Sequence, residues 1–520
     1  MLHSGPELGR LLKEAEALVD ESGAAVIVEQ LLDEAAAKSG RPRELPVRTL
    51  FVAFQLLAFE GDHFLVSVPK LLNHLDPATK RRLGIYRRTV TYRQVQHLFA
   101  VIAAVTYDAT DESEAGYLQF DQLTNAIATR GAHAEAADTT SLAIDASDIP
   151  SWGTSRYRFA YNEEGKYIGN ELHVTDVDAH WRSKDNPEWK VSFFGYDLTV
   201  AVGVREENGP SVPLAVKAMR FRGATHKTTA MGLACVGDAA AKRGSLGDVL
   251  MDRGYTISND GKDFVLPVRG LGGEPIFALR DNQLGSPGTL RGAVIVDGRP
   301  YSPSMPKKLY RIKQVKHTET YQPNPDVVAE YEAAIKARSV YALVPHGVRR
   351  PNGSQVYMCP AAAGKLRCPL VASSALLALG TMPAANPPAK ARLDTVCSAK
   401  FRTFSAEELP LSQRHIFGST AWRKSYSRRG EVERHFARTK DHSQENIRRG
   451  SIRVMGLAKV GLLISFSLAS INRRLAASFE RNKNKKPVVK RGRKPGNSVK
   501  KFSAVVAAAQ GIVSAVPLRV

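Results

Sequence analysis

The chain has 520 residues, with 73 Lys+Arg against 51 Asp+Glu and a formal charge of +22. That excess favours a polyanionic partner, nucleic acid before an acidic membrane surface. Hydrophobic residues at 43% and charged residues at 24% exclude a fibrous or low-complexity chain and leave room for about two to four globular domains. Four cysteines, Cys235, Cys359, Cys368 and Cys397, are too few for a disulfide scaffold and fit a reducing cytosol.

The first stretch, MLHSGPELGRLLKEAEALVDESG, is charged and lacks the apolar run of a secretory signal. ELGRLLKEAEALVDE and VIVEQLLDEAAAKSG place apolar residues three and four apart, as do VRTLFVAFQLLAFEG and TYRQVQHLFAVIAAVTY. Residues 1–135 therefore read as a helical N-terminal domain, which could present a helix to a DNA groove or serve as a dimerisation module.

From 139 the pattern changes to α/β. SLAIDAS (141–147) is a short apolar run that reads as a buried strand, and FGYDLTVAVGV (194–204) and VPLAVKAMRF (212–221) read as two more. HKTTAMGLACVGDAAAKRG (226–244) reads as a helix stopped by Gly244. GDVLMDRGY (247–255) and DFVLPV (263–268) are read as the fourth and fifth strands, completing the first part of a core at 136–268.

Residues 269–415 are rich in Gly and Pro, with short strand-like runs such as GAVIVDG, SVYALVPHG and SQVYMCP. They read as a β-rich insertion rather than one very long loop. Helical periodicity resumes over 416–478. There VMGLAKVGLLISFSLASI (454–471) is expected to be a buried helix, because Lys459, the serines and two glycines argue against a membrane span. Residues 472–502 hold twelve Lys/Arg and one acid, Glu480, so 479–520 reads as a basic, disordered tail.

The segment YSRRGEVERHFARTK (426–440) sets two glutamates in a basic stretch. On a continuous helix with Tyr426 at zero, Arg429 falls at about −60°, Glu433 at about −20° and Lys440 at about −40°, whereas Glu431 falls at about 140°. Tyr426, Arg429, Glu433 and Lys440 thus share a stripe suited to a nucleic-acid backbone. Glu433 is electrostatically misplaced there unless a divalent cation lies between it and phosphate. Asp145 in an apolar strand needs a compensating partner, and Asp252 sits where a strand end delivers a side chain to a cleft. Three such carboxylates suit a pair of divalent ions for in-line displacement at phosphorus. Asp148 is a reserve carboxylate, but its odd spacing from Asp145 puts it on the opposite strand face.

These residues resemble those of DDE transposases of bacterial insertion sequences. Tyr426, Arg429, Glu433 and Lys440 match the Y-x2-R-x3-E-x6-K signature of one large group at every spacing. Asp145 in LAIDAS and Asp252 in MDRGY resemble its two strand aspartates, and the likeness covers about 140–475. The resemblance implies an RNase H-like catalytic domain, with a mixed five-stranded sheet interrupted by the β-rich insertion. It further implies that Asp145, Asp252 and Glu433 bind Mg²⁺ (or Mn²⁺), and that Tyr426, Arg429 and Lys440 contact DNA. The partners it implies are double-stranded DNA, as element ends and as target, and a second copy in a homodimer or larger synaptic assembly. The implied location is cytoplasmic and nucleoid-associated. An RNase H-like nuclease or resolvase without strand transfer is the alternative, as is an inert transposase-derived DNA-binding protein.

Two lesser signals remain. Cys359, Cys368 and Cys397, with His415 or His346 as a fourth ligand, are a candidate structural zinc set. Their Cys-x8-Cys spacing is not that of familiar zinc sites and weighs toward reduced structural cysteines. KRGRKPG (490–496) resembles an AT-hook, in which Arg491 and Arg493 would enter a narrow minor groove. Lys494 stands where that motif usually has Pro, and non-specific phosphate attraction is the simpler reading.

Overall fold

In the computed structural model, which describes residues 6–35, 43–111, 113–132, 139–185, 190–315, 324–350, 352–376, 382–387 and 396–483, the N-terminal periodicities become seven helices. They are α1 (Pro6–Ser22), α2 (Ala24–Ala35), α3 (Val47–Phe59), α4 (Ser67–His74), α5 (Pro77–Arg82), α6 (Tyr92–Thr106) and α7 (Leu118–Ala128). Side-chain caps fix two of the starts: Asp76 accepts from the Ala78 and Thr79 amides before α5, and Thr91 and Gln94 form a capping box before α6. The α3 helix is apolar on nearly every side and is buried along its length.

The sheet begins with β1 (Leu142–Pro150). A hairpin of β2 (Ser155–Tyr161) and β3 (Tyr167–Val174) follows, then β4 (His180–Asp185), β5 (Lys190–Gly203) and β6 (Val216–Gly223). After α8 (Thr228–Arg243) come β7 (Asp248–Met251), the short helix α9 (Val265–Gly270) and β8 (Glu274–Phe277). The result is a mixed five-strand path, β4-β5-β1-β7-β8, with β6 also paired to β5. Strand β5 runs antiparallel to β1, β4 and β6, whereas β7 runs parallel to both β1 and β8. Strand β6 follows β4 end to end along β5, with Gly223 against the ring of His180. Gly244 takes the left-handed conformation (φ 70°) that closes α8, as its position predicts.

The fifth strand is displaced from its expected place. DFVLPV is not a strand: Val265–Gly270 is α9, and the strand is EPIF, Glu274–Phe277, inside the stretch read as the start of the insertion. A short apolar run has no period of its own, and Val265 and Val268 bury a helical face against the α8 side of the sheet. The β2–β3 hairpin and β4 also separate β1 from β5, which the apolar runs alone make consecutive.

Residues 288–404 supply two small antiparallel sheets. One consists of β9 (Gly288–Leu290), β10 (Ala293–Val296) and β11 (Arg299–Tyr301). After α10 (Pro325–Ser339), the other consists of β12 (Val344–His346), β13 (Gln355–Met358) and β14 (Phe401–Phe404). The chain returns through α11 (Thr420–Tyr426), a 3₁₀ turn (Ser427–Arg429), α12 (Gly430–Lys440) and α13 (Leu457–Lys483). No helix among the described residues is long and apolar enough to cross a membrane, and α13 is buried through most of its length.

Residues 1–476 form one compact unit and 477–520 a second, of which 477–483 complete α13. Within the first unit, one apolar cluster joins the N-terminal helices, one face of the sheet, α12 and α13. Strand β6 exposes a backbone edge to this cluster, and buried amides satisfy it. Asn125 of α7 donates to the Met219 carbonyl (3.0 Å) and accepts from the Met219 N–H (2.8 Å). Asn472 of α13 accepts from the Val216 N–H (2.8 Å) and donates to the carbonyls of Ala128 and Arg130, both at 2.9 Å. An edge strand covered in this way offers no template for further pairing.

Helix α13 packs closely on β6 and α7 at Gly461, where a Cβ would lie 2.4 Å from the Phe120 ring and 2.9 Å from the Phe221 ring. Gly461→Ala is expected to cost about 1–3 kcal/mol by overpacking. Gly237→Ala, on α8 with open space around it, should be neutral or slightly stabilising; chemical denaturation of both variants checks the contrast.

The buried Glu445 carboxyl pairs with Arg474, yet burial outweighs the arginine and pushes its pKa up to about 7. A carboxyl raised in the folded state stabilises below its unfolded pKa, and that contribution is lost as pH rises toward 7. The melting temperature of Glu445→Gln relative to the wild type should therefore climb between pH 5 and pH 8. A pH-independent difference would contradict the assignment.

Candidate active site

Asp145 lies within β1, on the face it shares with Ala143 and Ile149, which belong to the same apolar cluster as Val432 and Phe436 of α12. Strand β7 pairs with β1 through Leu142↔Val249 and Ala143↔Leu250. The same offset sets Asp252, the residue after β7, level with Asp145. Asp252 ends the strand by accepting a hydrogen bond from the Arg253 amide (2.7 Å) and capping a 3₁₀ turn. Glu433 stands on the first turn of α12.

One side chain joins all three. The Arg429 guanidinium lies 3.0 Å from Asp145 Oδ2, 3.9 Å from Asp252 Oδ2 and 2.6 Å from Glu433 Oε1. Exposure rises outward across the cluster, from 14% for Arg429 and 22% for Asp145 to 43% for Asp252 and 57% for Glu433. Burial raises the Asp145 pKa despite the opposing charge of Arg429, with Asp252 and Glu433 adding to the rise. Burial alone would lower Arg429, but the charges of Asp145, Tyr426, Asp252 and Glu433 raise it. The buried Nε of Arg429 has no hydrogen-bond partner among the described residues.

Tyr426, Arg429, Glu433 and Lys440 do not lie on one continuous helix. The 3₁₀ turn at Ser427–Arg429 breaks the regular advance and turns two adjacent arginines in different directions. Arg429 faces the carboxylates. Arg428 is almost fully buried and donates to Asp248 Oδ2 (2.6 Å), the Arg205 carbonyl (3.0 Å) and the Ser425 carbonyl (2.9 Å). Arg428 is therefore a strut between α11 and the start of β7, not part of a basic surface. Tyr426 stacks on Trp422 with ring centroids 4.7 Å apart, and burial raises its hydroxyl pKa. Lys440 reaches across to β1, its Nζ donating to the Asp148 carbonyl (2.7 Å).

Sequence reasoning passed over Tyr255, three residues after Asp252. Its buried hydroxyl has no hydrogen-bond partner, and burial together with the nearby charge of Asp145 holds it protonated. Its place in the MDRGY run was the one available signal. Arg414, which joins Arg428 on Asp248, was likewise hidden, because nothing in the sequence pairs residues 166 positions apart.

Among the described residues, no group of three His, Cys, Asp or Glu side chains is arranged to hold a metal ion. The oxygen donors of Asp145, Asp252 and Glu433 are the ligand type that Mg²⁺ and Mn²⁺ take. Their chemistry fits, but their present positions are set around a guanidinium. Of the cysteines considered for zinc, Cys359 and Cys368 pack against one apolar cluster and Cys397 against another. His415 Nε2 is engaged by Glu207 Oε1 (2.7 Å), and the His346 ring packs at a tilt against Phe401 (4.7 Å). Arg491 and Arg493 lie outside the described residues. Compared with models of known protein families and with curated proteins, the chain matches none.

Removing the central cation strands a partly buried carboxylate. Arg429→Ala should destabilise the protein by about 1–3 kcal/mol, and adding Asp145→Asn should restore part of that loss. Urea unfolding of the two single variants and the double variant gives the coupling directly.

Proposed function

We propose that the chain is a DDE-type DNA transposase with an RNase H-like core. In this reading it binds the terminal inverted repeats of its element, hydrolyses phosphodiester bonds there and joins the freed 3′-hydroxyl ends to target DNA. The observation that carries the reading is the meeting of Asp145, Asp252 and Glu433, from a central strand, a parallel strand end and a helix, around one guanidinium. The strand order β6-β5-β1-β7-β8, with three antiparallel strands followed by two parallel ones, supports the RNase H-like assignment. So does the excess of 73 basic over 51 acidic residues.

Asp145, Asp252 and Glu433 would hold Mg²⁺ or Mn²⁺, whose role is to activate the attacking oxygen and stabilise the leaving one. The chain's own residues do the positioning. Arg429 lies beside the carboxylates, where a DNA phosphate can compete with Glu433 for its guanidinium through a charge-assisted hydrogen bond. Tyr426, held by its stack on Trp422, fixes the wall next to that arginine. Lys440 extends positive charge along β1 toward the next phosphates. The helices of residues 1–135 would serve end binding or dimerisation, and synapsis of two ends calls for at least two copies.

Glu433→Gln and Asp145→Asn are expected to lower Mg²⁺-dependent nicking of DNA carrying the repeats that flank the gene by at least about 100-fold. DNA affinity, read by fluorescence anisotropy, should be kept. Nicking at the wild-type rate by either variant would reject the carboxylate assignment. Nicked DNA without joined products would favour a nuclease lacking strand transfer.

A further inference from the structure

A second surface lies beyond the carboxylates along β1. Trp152 follows the strand by two residues and is 47% exposed. The Arg453 guanidinium packs between two rings, 5.0 Å from the Trp152 centroid and 4.8 Å from that of Phe64. Gly450, at φ +87°, brings its turn against Trp152, where a Cβ would lie 3.9 Å from Cζ3. The turn holds Arg448, Arg449 and Arg453, all exposed. Among the described residues none of these arginines has a carboxylate partner: Arg448 donates to Asn446 Oδ1 (3.0 Å) and Arg453 to the Gly450 carbonyl (3.2 Å).

The acids near this surface are engaged by other partners, Asp62 accepting from the Phe64 amide (2.8 Å). Asp176 accepts from the Tyr196 hydroxyl (2.7 Å) and the Gly456 amide (3.0 Å), and Asp178 accepts from the Leu457 amide (2.8 Å) at the start of α13. Glu445 is buried against Arg474. An isolated exposed tryptophan needs no explanation. A tryptophan layered with an arginine, beside further arginines that no carboxylate neutralises, is the combination that holds single-stranded nucleic acid. Its bases stack on the ring and its phosphates meet the cations.

The seven residues from Asp145 to Trp152 span about 23 Å of extended chain, and Lys440 touches that path at Asp148. We infer that Trp152, with Arg448, Arg449 and Arg453, is the track for a single-stranded DNA segment running on from the carboxylate cluster. This rests on the reading of the chain as a DNA-processing enzyme and adds an unpaired strand to its substrate.

The test uses the full chain, a labelled blunt duplex, and the same duplex with a single-stranded extension. The wild type should bind the extended probe more tightly. Trp152→Ala should weaken that binding by at least about fivefold and leave the blunt duplex unchanged, while Trp152→Phe retains most of it. Replacing Arg448, Arg449 and Arg453 together by Ala should reduce the salt dependence of binding to the extended probe by about 2 in log–log slope. These arginines are exposed, so this variant decides the matter even if Trp152→Ala unfolds. Equal affinity of the wild type for both probes, or an unchanged slope, overturns the inference. If Mg²⁺-dependent nicking is present but the slope is unchanged, the track falls and the functional reading stands. If the variants behave as expected but no cleavage occurs, the reading falls and the track stands.

Discussion

The architecture around the site turns on the Asp145 carboxylate, which is set inside a central strand where water reaches only part of it. Such a group is tolerated only with a counter-charge, and Arg429 supplies it. To reach Asp145, Arg429 must lie at the junction of α11 and α12, and the 3₁₀ turn there produces that placement. The same guanidinium reaches Asp252 and Glu433 because the parallel register of β1 and β7 has already made the two aspartates level. A single buried charge therefore fixes which helix crosses the sheet, where its first turn falls and which carboxylates it gathers.

That placement needs a rigid backing, which the N-terminal helices and α13 provide. The amides of Asn125 and Asn472 replace the strand partners that β6 lacks. Arg222 joins β6 to α7 through Asp121 (2.8 Å) while its guanidinium covers the Tyr117 ring at 3.8 Å. The helical region and the sheet consequently share one apolar cluster. Helix α12 lies on this common base, so movement of the N-terminal helices would be felt at Glu433 through Val432 and Phe436.

Much of this was legible in the sequence where local chemistry is decisive. The N-terminal helices, α8 with its glycine stop and the strand around Asp145 follow from periodicity and capping. The convergence of Asp145, Asp252 and Glu433 was legible only through a resemblance, because residues up to 288 positions apart carry no mutual signal in one sequence. DFVLPV failed as a strand because its run is too short to show a period. The β2–β3 hairpin, SRYRFAY and YIGNELHV, carries a period-2 signal in Tyr157, Phe159 and Tyr161 that its many polar residues obscure. The burial of Arg428 carries no local signal, because its partner Asp248 lies far away in sequence.

Arg428 and Arg429 show why a basic stretch cannot be read as a uniform surface. A regular helix would set them about 100° apart, both able to meet solvent. The 3₁₀ turn instead lets one lock α11 to the base of β7 while the other enters the carboxylate cluster. Arg428 is held from four sides by Asp248, Arg205, and the Ser425 carbonyl and hydroxyl, so its donors are committed. Arg429 keeps Nε unpaired and touches its most exposed partner, Glu433, through a single contact. The glutamate that looked misplaced among cations is the outermost partner of that guanidinium, 57% exposed where Asp145 is 22% exposed.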